Sequence, residues 1–327
     1  MRKVSGQFLY LAAVLAASCL VVGAVAVDWA SSRQARATPR QADLRDIPFD
    51  GRQAYEYVEQ LCKLGPRPSG SAAMQAQREL LVEHFESLGA QVELQTFDVR
   101  HPLDGSAVRM ANVVARWHPE RRTRILLCAH YDTRPFPDLD PRDPRGIFLG
   151  ANDGASGVAV LMELARSMSD LEGRLGVDFA LFDGEELVFD ERGEYFLGST
   201  HFARKYAADT KADRYRWGVL LDMVGDADLQ VYQEVNSVRW PETRPLVHSI
   251  WNTARRLGVR EFVARPRHEV RDDHLPLRNI GGIATCNVID FDYPQWHTTE
   301  DTPDNCSALS LAKVGWVVQE WLKTAVK

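Results

Sequence analysis

Residues 177–190 read VDFALFDGEELVFD: an apolar strand runs straight into Asp183, Glu185 and Glu186, with only Gly184 between them. Carboxylates this close to one another and to an apolar core raise one another's pKa unless a cation or hydrogen-bond donors compensate. A solvated acidic turn is the plain reading. The chemical reading is a metal site in which one glutamate is a ligand and its neighbour an acid/base. Comparable groups stand at other element ends: His130 and Asp132 end LLCAHYD, Asp222 lies in LLDMVG, Asp153 in FLGANDGASG comes just before a helix, and His297 in PQWHTTEDT just after a strand. Each has an ordinary structural use on its own, Asp153 for example as a helix N-cap. Together they put imidazole and carboxylate groups at the ends of strands in one sheet. Nitrogen and oxygen ligands without thiolate suit a catalytic Zn²⁺. His130 and Asp132 are two apart and face one side of an extended segment, so Asp132 is placed to accept the second imidazole N–H of His130. Glu185 and Glu186 are adjacent and point apart, so one can bind metal while the other moves protons.

The elements that must position these groups alternate along the chain. Helical periodicity begins near Asp50, with Ala54, Val58, Leu61 and Cys62 on one face, and LGPRPSGS (64–71) breaks it. A second amphipathic helix carries Leu80, Leu81, Phe85 and Leu88 and stops at Gly89. QVELQTFDV and ANVVARW read as a strand pair, and RILLCAH, GVDFALFD, RWGVLLDMVG and IATCNVI as buried strands. Between and after them lie helices in GASGVAVLMELARSM, STHFARKYA, RPLVHSIWNTARRLG and SALSLAKVGWVVQEWLKTAV. Short apolar strands separated by helices imply an α/β fold with a largely parallel sheet covered on both faces. Ligands of such sheets bind beyond the carboxyl ends of the strands.

The bulk numbers fit one large catalytic domain: 327 residues, 45% hydrophobic, 26% charged, formal net charge −6. No long basic run follows the N-terminus, which argues against a nucleic-acid partner. At the N-terminus, Arg2 and Lys3 precede an uncharged run over 8–27. Residues 1–30 therefore read as a signal peptide or an N-terminal membrane anchor. AVA at 24–26 offers a cleavage site, and Cys19 in LAASC is loosely similar to a lipidation site, but the apolar run continues past it as in an uncleaved anchor. The basic residues before the run place the remainder outside the cytoplasm, membrane-anchored, or secreted or periplasmic after cleavage. Residues 31–46 are polar and read as a linker, and 47–327 as the catalytic domain. Cys19, Cys62, Cys128, Cys286 and Cys306 form no CxxC pattern. One or two disulfides would fit an oxidising compartment, with the pairing left open.

The ordered motifs LGPRPSGS, HYDT, GANDGASG, FDGEE, LGSTHFA, LLDMVG, DDHLP and WHTTEDTPDN resemble the zinc aminopeptidase and glutaminyl cyclase family, from about residue 50 to the C-terminus. The resemblance implies a three-layer α/β/α sandwich around a central mixed, mostly parallel sheet, acting on peptide or protein N-termini. Carried over from the aminopeptidases, it implies two zinc ions: His130 and Asp222 on different ions, Asp153 bridging, Glu186 and His297 completing the shells, and Glu185 activating water. Carried over from the cyclases, it implies one zinc on Asp153, Glu186 and His297, with Glu185 as proton shuttle in a network with Asp222 and Asp272. The segment RDDHLPLRNIGG, with Asp272, Asp273 and His274, resembles the cyclases, as does Trp296 beside His297 and the length of EELVFDERGEYFLGSTHFA. That resemblance puts Trp296 and His274 in the substrate pocket. NDGASG is closer to the aminopeptidases, GASGVAVL has no cysteine to partner Cys128, and Phe189 or Asp190 stands where animal cyclases have a tryptophan after Glu-Glu. The flanks favour a glutaminyl-peptide cyclotransferase, with a di-zinc aminopeptidase as the alternative. A catalytically dead anchored binding protein would have lost a ligand or Glu185, and neither is lost.

Overall fold

A computed structural model describes residues 43–189, 193–211 and 213–327. The expected leader, 1–30, and most of the expected linker lie outside the described residues. Among the described residues no helix is long and apolar enough to cross a membrane. Of the expected linker, Leu44–Asp46 form a 3₁₀ turn, and Leu44 packs against the main core.

The strands β1 (Gln91–Arg100), β2 (Ala107–Trp117), β3 (Thr123–His130), β4 (Gly176–Phe182), β5 (Arg214–Asp222) and β8 (Thr285–Ile289) make one sheet in the order β1-β2-β4-β3-β5-β8. β1/β2 and β2/β4 pair antiparallel. β3/β4, β3/β5 and β5/β8 pair parallel, so these four strands end at the same edge. The sheet is thus mixed, as expected. A two-stranded parallel sheet, β6 (Val231–Gln233) with β7 (Phe262–Pro266), was not legible in the sequence. β6 is three residues long, and β7 reads FVARP, with only Phe262 buried.

The strand period of two sorts the side chains into two layers. Ile125, Leu127 and Ala129 of β3 join Val177, Phe179, Leu181, Val219, Leu221 and Val288 in the larger core. That core is closed by α1 (Gly51–Cys62), α2 (Ala72–Ser87), α3 (Ser156–Ala165), α6 (Arg244–Leu257) and α8 (Ala308–Ala325). The alternate residues Leu126, Cys128, Ala180, Phe182 and Leu220 face a smaller core with Phe202 of α4 (Leu197–Ala208) and Leu277 of α7 (His274–Asn279). The result is a three-layer α/β/α sandwich. α3 is buried at every position from Ser156 to Ala165, as a helix apolar all round must be. Side-chain caps start α1 (Asp50 accepts from Arg52 N and Gln53 N) and α2 (Ser71 accepts from Met74 N), each worth about 1 kcal/mol. The short helices α5 (Val235–Arg239) and α7 escape sequence reading because five or six residues show no full helical period.

Cys62, Cys128, Cys286 and Cys306 are all buried free thiols. The space left open in the sequence for disulfides is therefore not used among the described residues.

Candidate metal centre and acid/base cluster

The parallel strands deliver their terminal residues to one cleft. His130 closes β3, Asp222 closes β5, and Glu185 and Glu186 follow β4. Asp153 lies three residues before α3, and His297 lies in the loop after β8. Gly184 makes the turn at β4 with φ 77°, and a Cβ there would sit 2.8 Å from Met110 Sδ. Gly154, at φ 94°, lets the Asp153 loop approach Asp132, whose carbonyl oxygen would lie 2.5 Å from an added Cβ. These close approaches explain glycines in DGEE and NDGASG better than local turn preference alone.

Two triads share Asp153. One ligand atom each from Asp153, Glu186 and His297 lies within 4.8 Å of the others, and the same holds for His130, Asp153 and Asp222. His297 Nε2 is 2.9 Å from Glu186 Oε1 and 3.5 Å from Asp153 Oδ2. His130 Nε2 is 3.1 Å from Asp153 Oδ1 and 3.3 Å from Asp222 Oδ1. Asp153 Oδ2 is buried without a hydrogen-bond partner. A buried carboxylate oxygen left unpaired beside a glutamate and an imidazole is the environment a cation completes, and the oxygen and nitrogen donors fit zinc. Burial and then the charge of Glu186 push the Asp153 pKa up to about 6. Burial lowers the His297 pKa, but its bonds to Asp138 and Glu186 reverse this and raise it to about 9. In His130, too, burial is outweighed by the carboxylates Asp132, Asp153 and Asp222, and the net shift is well upward.

Glu185 sits beside the ligands, its pKa raised well above the usual carboxylate range by burial and then by Glu186. Asp272 lines the same cleft, and burial followed by the Asp222 charge raises its pKa strongly. Its Oδ1 accepts from Asp273 N at 2.6 Å and its Oδ2 from Asn287 Nδ2 at 2.7 Å. Asp183, the first carboxylate of DGEE, points away: it accepts from Ser69 Oγ at 2.7 Å and from Ala111 N at 2.9 Å, in a structural role.

Two expected roles change. Asp132 lies 3.7 Å from His130 Nδ1, beyond a hydrogen bond. Its oxygens instead accept from the backbone N–H groups of Glu185 (3.1 Å) and Glu186 (3.0 Å), so Asp132 fixes the glutamate loop. His274, expected in the substrate pocket, is fully buried behind it, at the start of α7. Its Nε2 faces Glu234 at 3.5 Å and its ring lies beside Trp240. The helical turn that begins there carries the ring inward, which the motif DDHLP by itself does not reveal. Trp296 does line the cleft, its ring centroid 4.1 Å from that of His297.

Several residues that the sequence did not single out hold the ligands. Asp138 Oδ1 lies 3.2 Å from His297 Nδ1, the nitrogen opposite the one facing Asp153 and Glu186. Arg134 grips Asp138 at 2.6 and 2.9 Å, and its backbone N–H donates to Glu186 Oε2 at 3.0 Å. A carboxylate on the far nitrogen of a ligand histidine sets its tautomer and orientation. Asp301 accepts from Asn152 N at 2.8 Å and Asp153 N at 3.1 Å. Arg67, fully buried, donates to the carbonyls of Gly65, Leu149 and Gly150, which ties LGPRPSGS to the loop that carries Asp153. His297 has φ 55°, an uncommon conformation for a residue with a Cβ. Only the arginine in GPRPSG, a long charged side chain among turn residues, was a signal visible in advance.

The cleft encloses about 440 Å³ and is walled by Tyr195, Phe196, Ile289, Phe291 and Trp296. A larger groove of about 1170 Å³ runs beside α2, but its lining includes none of the candidate groups. The smaller cleft holds the chemistry.

Residues 112–322 match the sequence model of peptidase family M28. The chain is 40% identical to the glutaminyl cyclase of Fimbriiglobus ruber in its crystal structure, with a TM-score of 0.80, over 88% of this chain and 99% of the other. It is 31% identical to a leucine aminopeptidase precursor from Bacteroides thetaiotaomicron VPI-5482, with a TM-score of 0.78, over 85% and 98% of the two chains. A glutaminyl-peptide cyclotransferase of Drosophila melanogaster is 28% identical over 76% of this chain and 73% of its own length.

Proposed function

The chain belongs to peptidase family M28, and from that premise we propose that it is a zinc-dependent glutaminyl-peptide cyclotransferase that converts N-terminal glutamine to pyroglutamate and releases ammonia. The observation that carries this reading is the acid cluster beside the candidate zinc ligands: half-buried Glu185 with its raised pKa, in one cleft with the buried Asp222 and Asp272. The likeness over nearly the whole length of the Fimbriiglobus ruber cyclase supports it. Asp153, Glu186 and His297 would hold the zinc, which when bound supplies a Lewis acid for the substrate's γ-carbonyl.

The chain's own groups do the rest. Glu185 accepts a proton from the α-amine as that nitrogen bonds to the γ-carbonyl carbon. It returns the proton to the amide nitrogen as the carbon–nitrogen bond breaks and ammonia leaves. A base working near neutrality needs the pKa of a glutamate raised, and burial beside Glu186 acts in that direction. Asp222 and Asp272 flank the incoming amine, and Asn287 and the Asp273 N–H hold Asp272 in place. Trp296, Phe291 and Ile289 supply apolar walls that limit water at the reacting carbon.

The di-zinc aminopeptidase reading rests on the second triad, His130, Asp153 and Asp222, whose ligand atoms are as close as those of the first. Metal stoichiometry together with turnover of a Gln-β-naphthylamide and a Leu-p-nitroanilide decides between the two. About one zinc per chain with ammonia release is expected; two zinc ions with leucyl cleavage and no ammonia would overturn the proposal. Glu185→Gln is expected to keep zinc and lose at least about a hundredfold in cyclisation rate. Residues 1–30 are assigned as a targeting or anchoring segment that takes the catalytic domain of 47–327 out of the cytoplasm, and fractionation of the full-length chain tests this assignment.

A further inference from the structure

The charges around the cleft mouth are unevenly satisfied. Arg134 is taken up by Asp138 and Glu186. Glu269, also on the rim, pairs with Arg239 at 3.2 Å. Arg271 lines the cleft, is exposed, and has no carboxylate within 4.0 Å among the described residues. Its guanidinium carbon lies over the ring of Tyr195, 5.8 Å from the centroid. Tyr195 is in turn held by Arg134, whose Nη2 lies 3.4 Å from the phenol oxygen.

The backbone that presents Arg271 is pinned on both sides. Val270 N donates to the buried Glu234 carboxylate at 3.2 Å. Asp272 is fixed by Asn287 and by the Asp273 N–H. Arg271 is therefore a cation whose backbone is anchored one residue from a group assigned to hold the substrate amine, with its guanidinium carbon over the ring of a wall residue, 5.8 Å from the centroid. Consecutive Cα atoms are about 3.8 Å apart and an extended chain advances about 3.3 Å per residue. A peptide whose first residue sits at Glu185 and Asp272 thus passes Arg271 with its second and third residues. The cleft's 440 Å³ lies in the size range of pockets that enclose whole drug-sized ligands, so it has room beyond one glutaminyl side chain.

We infer that Arg271 is a specificity-determining residue that selects peptides with an acidic side chain at the second or third position. This rests on the catalytic reading above in placing the N-terminal residue at Glu185. Recognition uses the exposed guanidinium as a preformed partner for a carboxylate, with Tyr195 limiting the orientations it must give up on binding. A lysine at the same position meets a like charge.

The test uses the full chain loaded with zinc and C-terminally amidated tripeptides, so that no terminal carboxylate competes. Gln-Glu-Ala, Gln-Ala-Ala and Gln-Lys-Ala amides are compared by ammonia release, and the matching Leu series by release of leucine. The readout is the ratio of kcat/KM for Glu over Lys within each enzyme, scored on whichever series is turned over. For the wild type this ratio should be about three- to tenfold, carried mainly by KM, and should fall toward one at high ionic strength. Arg271→Gln should bring the ratio close to one, and Arg271→Glu should invert it. A wild-type ratio of one, or a preference that survives in Arg271→Glu, overturns the inference. Ammonia release from no Gln peptide would instead refute the cyclase reading, while the Leu series still reports on Arg271.

Discussion

Asp132→Asn is the sharpest test of how the glutamate loop is held. The wild-type carboxylate is completely buried, and each of its oxygens takes one backbone N–H, from Glu185 at 3.1 Å and from Glu186 at 3.0 Å. Asparagine has the same shape but one acceptor oxygen, so one of those N–H groups would face an NH₂. A hydrogen bond to a charged group is worth about 1.5–3 kcal/mol, and a buried donor left unpaired costs about 1–3 kcal/mol. These ranges describe overlapping effects, so the combined loss is about 2–4 kcal/mol. At about 2 °C per kcal/mol for a domain of this size, the melting temperature should fall by roughly 4–8 °C. Loss of an outer-shell partner typically weakens a metal site about 10–100-fold, so competition with a chelator should show zinc affinity reduced on that scale. Thermal unfolding and chelator titration of the purified chain read both quantities. A melting temperature within 1 °C of wild type together with zinc affinity within about twofold would refute the assignment.

Other consequences follow from the same geometry. Gly184→Ala forces a Cβ into a residue at φ 77° and toward Met110 Sδ; it should destabilise by about 1–3 kcal/mol and lower turnover by displacing Glu185, measured by melting and by initial rates. Glu163 on α3 is nearly buried, its Oε2 has no hydrogen-bond partner, and burial raises its pKa to about 7. A carboxyl with a raised folded-state pKa contributes stability that is fully present below its unfolded value and is lost as pH rises through the folded value. Glu163→Gln should therefore gain on wild type between pH 5 and pH 8 by about 1 kcal/mol, a discounted figure because Arg166 and solvent screen the charge. Melting curves of both proteins at the two pH values check this, and an unchanged difference between them would refute it.

Much of the fold follows from local pattern. Apolar runs such as RILLCAH and VDFALF cannot be solvated, and the helices between them require crossovers, so a mostly parallel sheet with both faces covered is legible in the chain. The groups that end those runs or follow them directly, His130, Glu185, Glu186 and Asp222, were legible for the same reason: a polar residue that ends a buried strand must emerge at the sheet's carboxyl edge. Asp153, just before a helix, and His297, in the loop after a strand, reach the same edge. Spacing alone said less about what each side chain touches. Asp132 faces His130 but accepts its hydrogen bonds from a loop more than fifty residues away. His274 turns inward because its segment is helical. Asp138 reaches His297, and Asp301 reaches Asp153, through loops with no periodicity to read. Residue type and strand periodicity are local properties, so the sequence by itself determined which groups arrive at the cleft. Which partner orients each group depends on the distance between loops that only the folded sheet brings together, and that was decided by tertiary structure.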